Sequence, residues 1–150
     1  MTDSPDWLHR DEVDGSDQEL AETLAAAGLP TEDLAEPGRR FWRFRTAVGE
    51  PIGFIGWEDM GGAALLRSLV IVPAQRGQGW SRILTDWALA QLAAAGIADV
   101  YVLTTSVESL AQRFGFSRVL RDQAPPAIRA SRQFASLCPA SAVLLHRRLS

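Results

Sequence analysis

Lysine is missing from this 150-residue chain, and all 15 of its basic residues are arginine. Schiff-base catalysis by a lysine is therefore excluded. Biased nucleotide composition explains the gap most simply, with selection for planar guanidinium forks as the alternative. Cysteine is almost as scarce: Cys138 stands alone, which excludes a disulfide scaffold and fits a reducing compartment. The only imidazoles, His9 and His146, show no ligand spacing with it, so no metal is expected. An excess of positive charge is absent too, the formal net charge being -3 and the pI ≈ 5.3. Nucleic acid is therefore not expected as a partner. No apolar run approaches the roughly 18 residues of a membrane span. The polar, acidic residues 1–17 also lack the apolar stretch of a signal peptide. A cytoplasmic protein without a membrane partner is the expectation.

What is present suits one α+β domain. Hydrophobic residues make up 47% of the chain and charged residues 22%, and a chain of this length buries roughly 70% of its unfolded surface in a single core. Residues 1–17 form an acidic segment that ends loosely or holds a first strand near 7–13, and the main domain runs from 18 to 150. Leu20, Leu24 and Ala27 recur at helical spacing after a cap at Ser16 or Asp17, and Gly28 ends that helix. Strand-like runs at 41–47 and 52–58 flank a turn at 48–51. The nearly continuous apolar run 64–72 reads as a strand covered on both faces. A helix over 79–95, a buried strand over 99–104, a short helix over 107–113 and strands over 116–120 and 142–148 complete the order. Between the last two strands lies a segment, 122–139, too long for a hairpin loop and too apolar for disorder. A short helix is expected across 127–137.

The sharpest local signal follows the run 64–72. Pro73 closes the strand, and Arg76-Gly77-Gln78-Gly79-Trp80-Ser81 opens a helix. Backbone N–H groups and the positive end of the helix dipole then converge where glycines let an anion approach closely, and Arg76 can add a charge-assisted contact. The alternative is that the glycines only permit a tight turn. The segment lacks the Lys-Ser/Thr pair of a Walker A loop and completes no dinucleotide-binding G-x-G-x-x-G.

Arg76 to Ser81 resembles the R/Q-x-x-G-x-G/A pyrophosphate loop of the GNAT superfamily of N-acetyltransferases, with Ser81 where that family prefers Gly or Ala. Phe114-Gly115-Phe116 is similar to the family's G-F signature, and the order of elements from about 41 to 148 agrees. The resemblance implies a mostly antiparallel mixed sheet flanked by helices, acetyl-CoA as cofactor, and a V-shaped opening between 66–72 and 100–104. It also implies direct acetyl transfer to a small-molecule amine. The cofactor would then meet main-chain groups of Val70, Ile71 and Val72 and the loop residues Arg76, Gly77, Gln78, Gly79, Trp80 and Ser81. Leu65-Leu66-Arg67-Ser68-Leu69, Leu103-Thr104-Thr105 and the stretch from Arg121-Asp122 to Leu137-Cys138-Pro139-Ala140-Ser141-Ala142 resemble the arsenic-resistance branch. That branch implies an amino acid bearing an anionic arsenic group as acceptor. A homodimer is left open.

An anionic acceptor calls for guanidinium partners. Arg67, a charge inside an apolar strand, must pair with something or line a cavity, so a substrate contact and a structural salt bridge are both open. Ser68, on the opposite face, is a second candidate, and Arg121 and Arg129 are two more. Glu58, at the end of a strand beside the opening, is the candidate base that frees the amine, against a plain solvated charge. The family's usual Tyr is replaced by Ala111, so Thr105, Ser106 or Ser109 supplies a hydroxyl near the leaving thiolate, or solvent protonates it. Cys138 reads as a buried small residue, since direct transfer needs no acyl-enzyme. Two rival readings remain: an acyl-CoA-binding regulator without turnover, kept open by Ala111, and a protein acetyltransferase, disfavoured because 122–139 narrows the groove.

Overall fold

The computed structural model describes residues 8–105, 107–137 and 141–149. Strand β1 (His9–Val13) leads into helix α1 (Gln18–Ala26), which begins where the Asp17 carboxylate accepts the Leu20 N–H at 3.0 Å. A meander of β2 (Arg39–Arg45), β3 (Pro51–Asp59) and β4 (Ala63–Ile71) follows. Then come α2 (Trp80–Ala94), β5 (Asp99–Thr104), α3 (Glu108–Arg113), β6 (Ser117–Val119), α4 (Pro126–Arg129) and β7 (Val143–Arg148).

The strands form one sheet in the order β1-β2-β3-β4-β5-β7-β6. Its β4–β5 pair is parallel and its other neighbouring pairs are antiparallel, which is the mixed, mostly antiparallel α+β sheet expected. Residues 9–13 of the acidic segment are an edge strand paired with β2. β7 inserts between β5 and β6 and leaves the shorter β6 at the other edge.

Alternation along the strands sorts the apolar side chains into two layers. On one face α2 buries Trp80, Leu84, Trp87 and Ala88 against Phe44, Ile55, Trp57 and Leu66. Trp87 meets Trp42 edge-on at 4.9 Å and Phe44 at 5.2 Å between ring centroids, contacts that fix the helix on β2. On the other face α1 sets Leu20 and Leu24 on Phe41, Phe54 and Val70. The C-terminal segment sets Ala124 and Ile128 there, on Leu65, Leu103 and Leu144.

That segment departs from the single helix expected across 127–137. It breaks into a 3-10 turn at Arg121–Gln123, the one-turn α4, and a π-helical turn at Gln133–Leu137. Ser131 causes the interruption: its hydroxyl donates to the Ile128 carbonyl at 2.6 Å and accepts the Phe134 N–H at 3.2 Å. A side chain that competes for helix-end groups in this way ends one turn and starts another. Cys138 lies outside the described residues.

Close approach of β3 and β4 depends on Gly53, where a Cβ would stand 2.0 Å from the Val70 carbonyl oxygen. A Gly53→Ala substitution is expected to push the strands apart and to cost about 1–3 kcal/mol of unfolding free energy, as overpacking does. Urea titration measures this as a lower midpoint at unchanged slope.

Candidate functional site

The parallel pair that defines the centre of the sheet is bonded over only part of its length. Register runs from Ala63↔Asp99 to Leu66↔Val102 and ends there, while β4 continues to Ile71 and β5 to Thr104. Beyond that point the facing edges are unbonded to each other. The gap is a cavity of about 140 Å³ whose walls include Leu66, Leu69, Val102, Ala111 and Phe114, with Arg67 and Ser68 at one side. This is the V-shaped opening that the resemblance implies.

A bulge in β4 shapes the gap. Phe54 pairs with Val70 and Gly56 with Arg67, so Ile55 alone faces both Ser68 and Leu69. Ser68 takes a φ of 59°, the only positive φ among the described non-glycine residues. Such a bulge leaves one residue without a strand partner and bends its strand, here just past the last residue bonded to β5.

At the end of β4 the chain makes a 3-10 turn over Pro73–Gln75 and passes through Gly77 and Gly79, with φ of 80° and 85°, into α2. Only glycine adopts this region freely, so the turn itself requires both. A Cβ at either would also meet open space, and the backbone there is accessible to a ligand. No side chain caps α2, which leaves the amides of its first turn aimed outward with the positive end of the dipole. Gln78 is exposed, Ser81 half-buried, and Trp80 buried with its indole N–H donating to Gln75 Oε1 at 3.2 Å.

Main-chain groups near this turn differ in availability. The Val72 N–H donates to the Ile52 carbonyl at 2.9 Å and so faces β3. Main-chain groups alternate along a strand, so Val70 faces the same way and Ile71 faces the gap. The Ile71 carbonyl accepts from Arg76 Nε at 3.0 Å. Of the three residues expected to meet the cofactor through main-chain groups, Ile71 is the one whose groups face the gap, while those of Val70 and Val72 face β3. The side chains of Val70 and Ile71 are core.

Arg67 is the centre of a buried ionic cluster. Its guanidinium donates to Asp33 at 2.6 and 2.8 Å and to Glu58 at 2.9 Å, and its Nε donates to the Ser68 hydroxyl at 3.0 Å. With its amide oriented by this network, Gln133 brings its side-chain oxygen to 2.7 Å from Nε. Arg39 donates from Nε to Asp33 at 3.0 Å and lies 3.5 Å from Glu58, so two guanidinium groups face two carboxylates. Phe41 underlies Arg67, its ring centroid 5.6 Å from Cζ. Burial alone pushes the Asp33 carboxyl upward, but hydrogen bonds and charges from Arg67 and Arg39 outweigh it and hold the group below its ordinary value.

These contacts decide where the expected site residues stand. Arg67 takes the structural role, saturated by internal salt bridges, while it also lines the cleft. Glu58 is 4% exposed, held between Arg67 and Arg39, and is not part of the cleft wall. The structure thus places it as a partner of Arg67 rather than beside a reacting amine. Arg121 donates to the Ala142 carbonyl at 2.9 Å and stacks on Phe134 at 4.4 Å, and Arg129 reaches the Asp122 carbonyl at 3.4 Å. Both hold the C-terminal segment together outside the cleft wall. Thr105, ahead of α3, and Ser109, in its first turn, are exposed, and Ser106 lies outside the described residues. Asp33, Arg39 and Gln133 were not singled out from sequence. The available signal was Arg67 itself, since a charge in an apolar strand demands carboxylates, but nothing local says which of 18 acidic residues answer it.

A split sheet above an uncapped helix start defines this α+β domain. Residues 4–116 match the family model described as Acetyltransferase (GNAT) family, and the chain belongs to that family. Membership makes acyl transfer the reaction class and acetyl-CoA the cosubstrate. Among solved structures, N-acetylglutamate synthase from Neisseria gonorrhoeae, complexed with coenzyme A and N-acetyl-glutamate, is similar at 16% identity and TM-score 0.77. The match covers 98% of this chain but 36% of that one, so the chain spans about a third of the synthase. A Bacillus subtilis acetyltransferase in complex with CoA is similar at 13% identity and TM-score 0.70, with 95% and 99% covered. A GNAT-family acetyltransferase from Staphylococcus aureus is similar at 17% identity and TM-score 0.66, with 95% and 100% covered. No curated protein sequence matches significantly.

Because Asp33 is held low, the stability it contributes is fully present above its ordinary value near 3.8 and is lost as pH falls through the depressed folded value. Asp33→Asn is expected to cost about 3–5 kcal/mol at neutral pH, as loss of one partner from a buried pair does. Its stability should also fall less steeply between about pH 5 and 2 than that of the parent. Denaturant unfolding at several pH values checks both.

Proposed function

We propose that the chain moves an acetyl group directly onto the amine of a small molecule, with donor and acceptor meeting in the gap between β4 and β5. One observation carries this reading: the unbonded strand edge, the bulge at Ser68 and Leu69, and the glycine turn all open onto the same end of β4. Acetyl-CoA bound there supplies an activated thioester. A diphosphate fits the amides from Gly77 to Ser81, and Arg76 can release the Ile71 carbonyl to add a charge-assisted contact. Ile71 then offers its main-chain groups to the cofactor arm. An amide freed by the bulge is placed to polarise an acyl carbonyl, a contact that strengthens as charge develops on the oxygen.

Among the described residues no carboxylate lines the cleft. The acceptor ammonium is therefore proposed to lose its proton to solvent, so that the acceptor's own pKa governs the rate. With Ala111 in the wall, positioning and amide polarisation account for the acceleration, not a phenolic acid.

On the acceptor side, the reading extends to an acid-bearing amino compound, an arsenical amino acid among them. Two features support it: the likeness of the C-terminal segment to the arsenic-resistance branch, and the chemistry around Arg67. Its Ser68 and Gln133 neighbours are neutral oxygens, which an incoming anion can replace with a stronger charge-assisted contact.

Thiol release from acetyl-CoA, followed across a panel of amines, tests both levels. Acid-bearing amines are expected to exceed their acid-free counterparts by about tenfold in kcat/KM, near the value of one charged hydrogen bond. The rate should rise with pH and level off at the acceptor's own pKa. No release with any amine would overturn direct transfer, and equal rates for the two classes would overturn the anionic acceptor.

A further inference from the structure

The cleft wall contains few polar side chains, and nearly all have visible partners. Arg67 bonds Asp33 and Glu58, the Ser68 hydroxyl accepts from Arg67, and Thr104 Oγ1 accepts the Val107 N–H at 3.0 Å. Thr85 differs. It lines the same cleft and is 5% exposed, and its hydroxyl has neither a hydrogen-bond partner nor contact with solvent. A threonine inside a helix ordinarily returns its hydroxyl to the carbonyl four residues back, and Thr85 does not. A buried hydroxyl left in this way costs free energy, which is recovered only if a partner arrives.

Position indicates which partner. Helix α2 starts at the glycine turn and packs back over β3 and β4. Thr85 stands five residues beyond Trp80, about 7.5 Å along the helix axis at the usual rise. It shares the cavity wall with Leu69 of the bulge and with Ala111 of α3. A cofactor held by its diphosphate at the turn, with its acyl end at the bulge, passes this side chain.

We infer that the Thr85 hydroxyl is a cofactor contact, hydrogen-bonding an amide of the pantetheine arm. Threonine in a helix divides between two χ1 rotamers, so a rotation about χ1 is available to bring Oγ1 to the arm. The inference rests on the proposed cofactor site but assigns a side chain that neither the glycine turn nor the strand edge requires. It also accounts for a polar residue in a stretch of α2 where Leu84, Trp87 and Ala88 are apolar and buried.

The test uses calorimetric titration with coenzyme A together with the melting temperature of the ligand-free protein, for the parent, Thr85→Val and Thr85→Ser. Thr85→Val keeps the shape and removes the hydroxyl. It is expected to weaken coenzyme A about tenfold in Kd, the effect of one hydrogen bond, while melting at or above the parent. Thr85→Ser is expected to bind within about twofold of the parent. Parent-like affinity in Thr85→Val overturns the inference, as does equal weakening in both variants. A lower melting temperature for ligand-free Thr85→Val overturns its premise, because the hydroxyl then has an internal partner. If Thr85→Val does not fold, Thr85→Ala against Thr85→Ser makes the same comparison. A parent that binds no coenzyme A removes the proposed function instead, and that outcome is distinct from a parent that binds and a Thr85→Val that binds equally.

Discussion

Two parallel strands that stop bonding to each other partway along the sheet must place their remaining N–H and C=O groups somewhere, because unsatisfied backbone groups in a protein interior are costly. In this chain β4 and β5 part after Leu66 and Val102, and the rest of the architecture follows from where those groups face. The bulge at Ser68 and Leu69 interrupts the β3–β4 register beside the opening, the turn beyond Ile71 leads into α2, and Ala111 of α3 and Phe114 just after it line the same opening. The fold thus presents a strand edge that β5 leaves unbonded beyond Leu66, the edge to which the proposed cofactor site is assigned.

The ionic cluster beside this gap is its counterpart. Arg67 immediately precedes the bulge, and its bonds to Asp33 and Glu58 tie β4 to β3 and to the connection between α1 and β2. Gln133 extends the tie to the C-terminal segment. Burying four charges is expensive unless each is paired and the geometry is close. Here the bidentate Asp33 contact and the second guanidinium of Arg39 meet that condition. What the cluster contributes is position: it holds one conformation of β4 next to the place where its edge must stay open. The same saturation is why a role for Arg67 toward an acceptor depends on exchanging neutral partners, not on a free charge.

Much of the framework was legible in the sequence because its signals are local. The strand over 99–104 matches β5, the cap at Asp17 and stop at Gly28 bound α1, and the two glycines after Pro73 mark a turn that needs positive φ. The C-terminal segment was read as apolar and ordered, but its breaks depend on one hydroxyl, that of Ser131, which no periodicity reveals. Pairing was the main blind spot. Arg67 announced that it needed partners, yet Asp33 sits in a stretch that reads as a plain connection. Glu58, whose strand-end position suggests a base, is one of those partners. Thr85 was invisible for a different reason, since a threonine in an amphipathic helix carries no mark of an unpaired hydroxyl until its surroundings are known.

Amide hydrogen exchange, followed residue by residue with and without coenzyme A, tests the central claim most directly. The account predicts that the amides from Gly77 through the first turn of α2, together with the β4 edge around the bulge and Ile71, gain protection when coenzyme A is added, while the bonded stretch from Ala63 to Leu66 is unchanged. Unchanged exchange at the glycine turn, or protection confined to another part of the molecule, would contradict it.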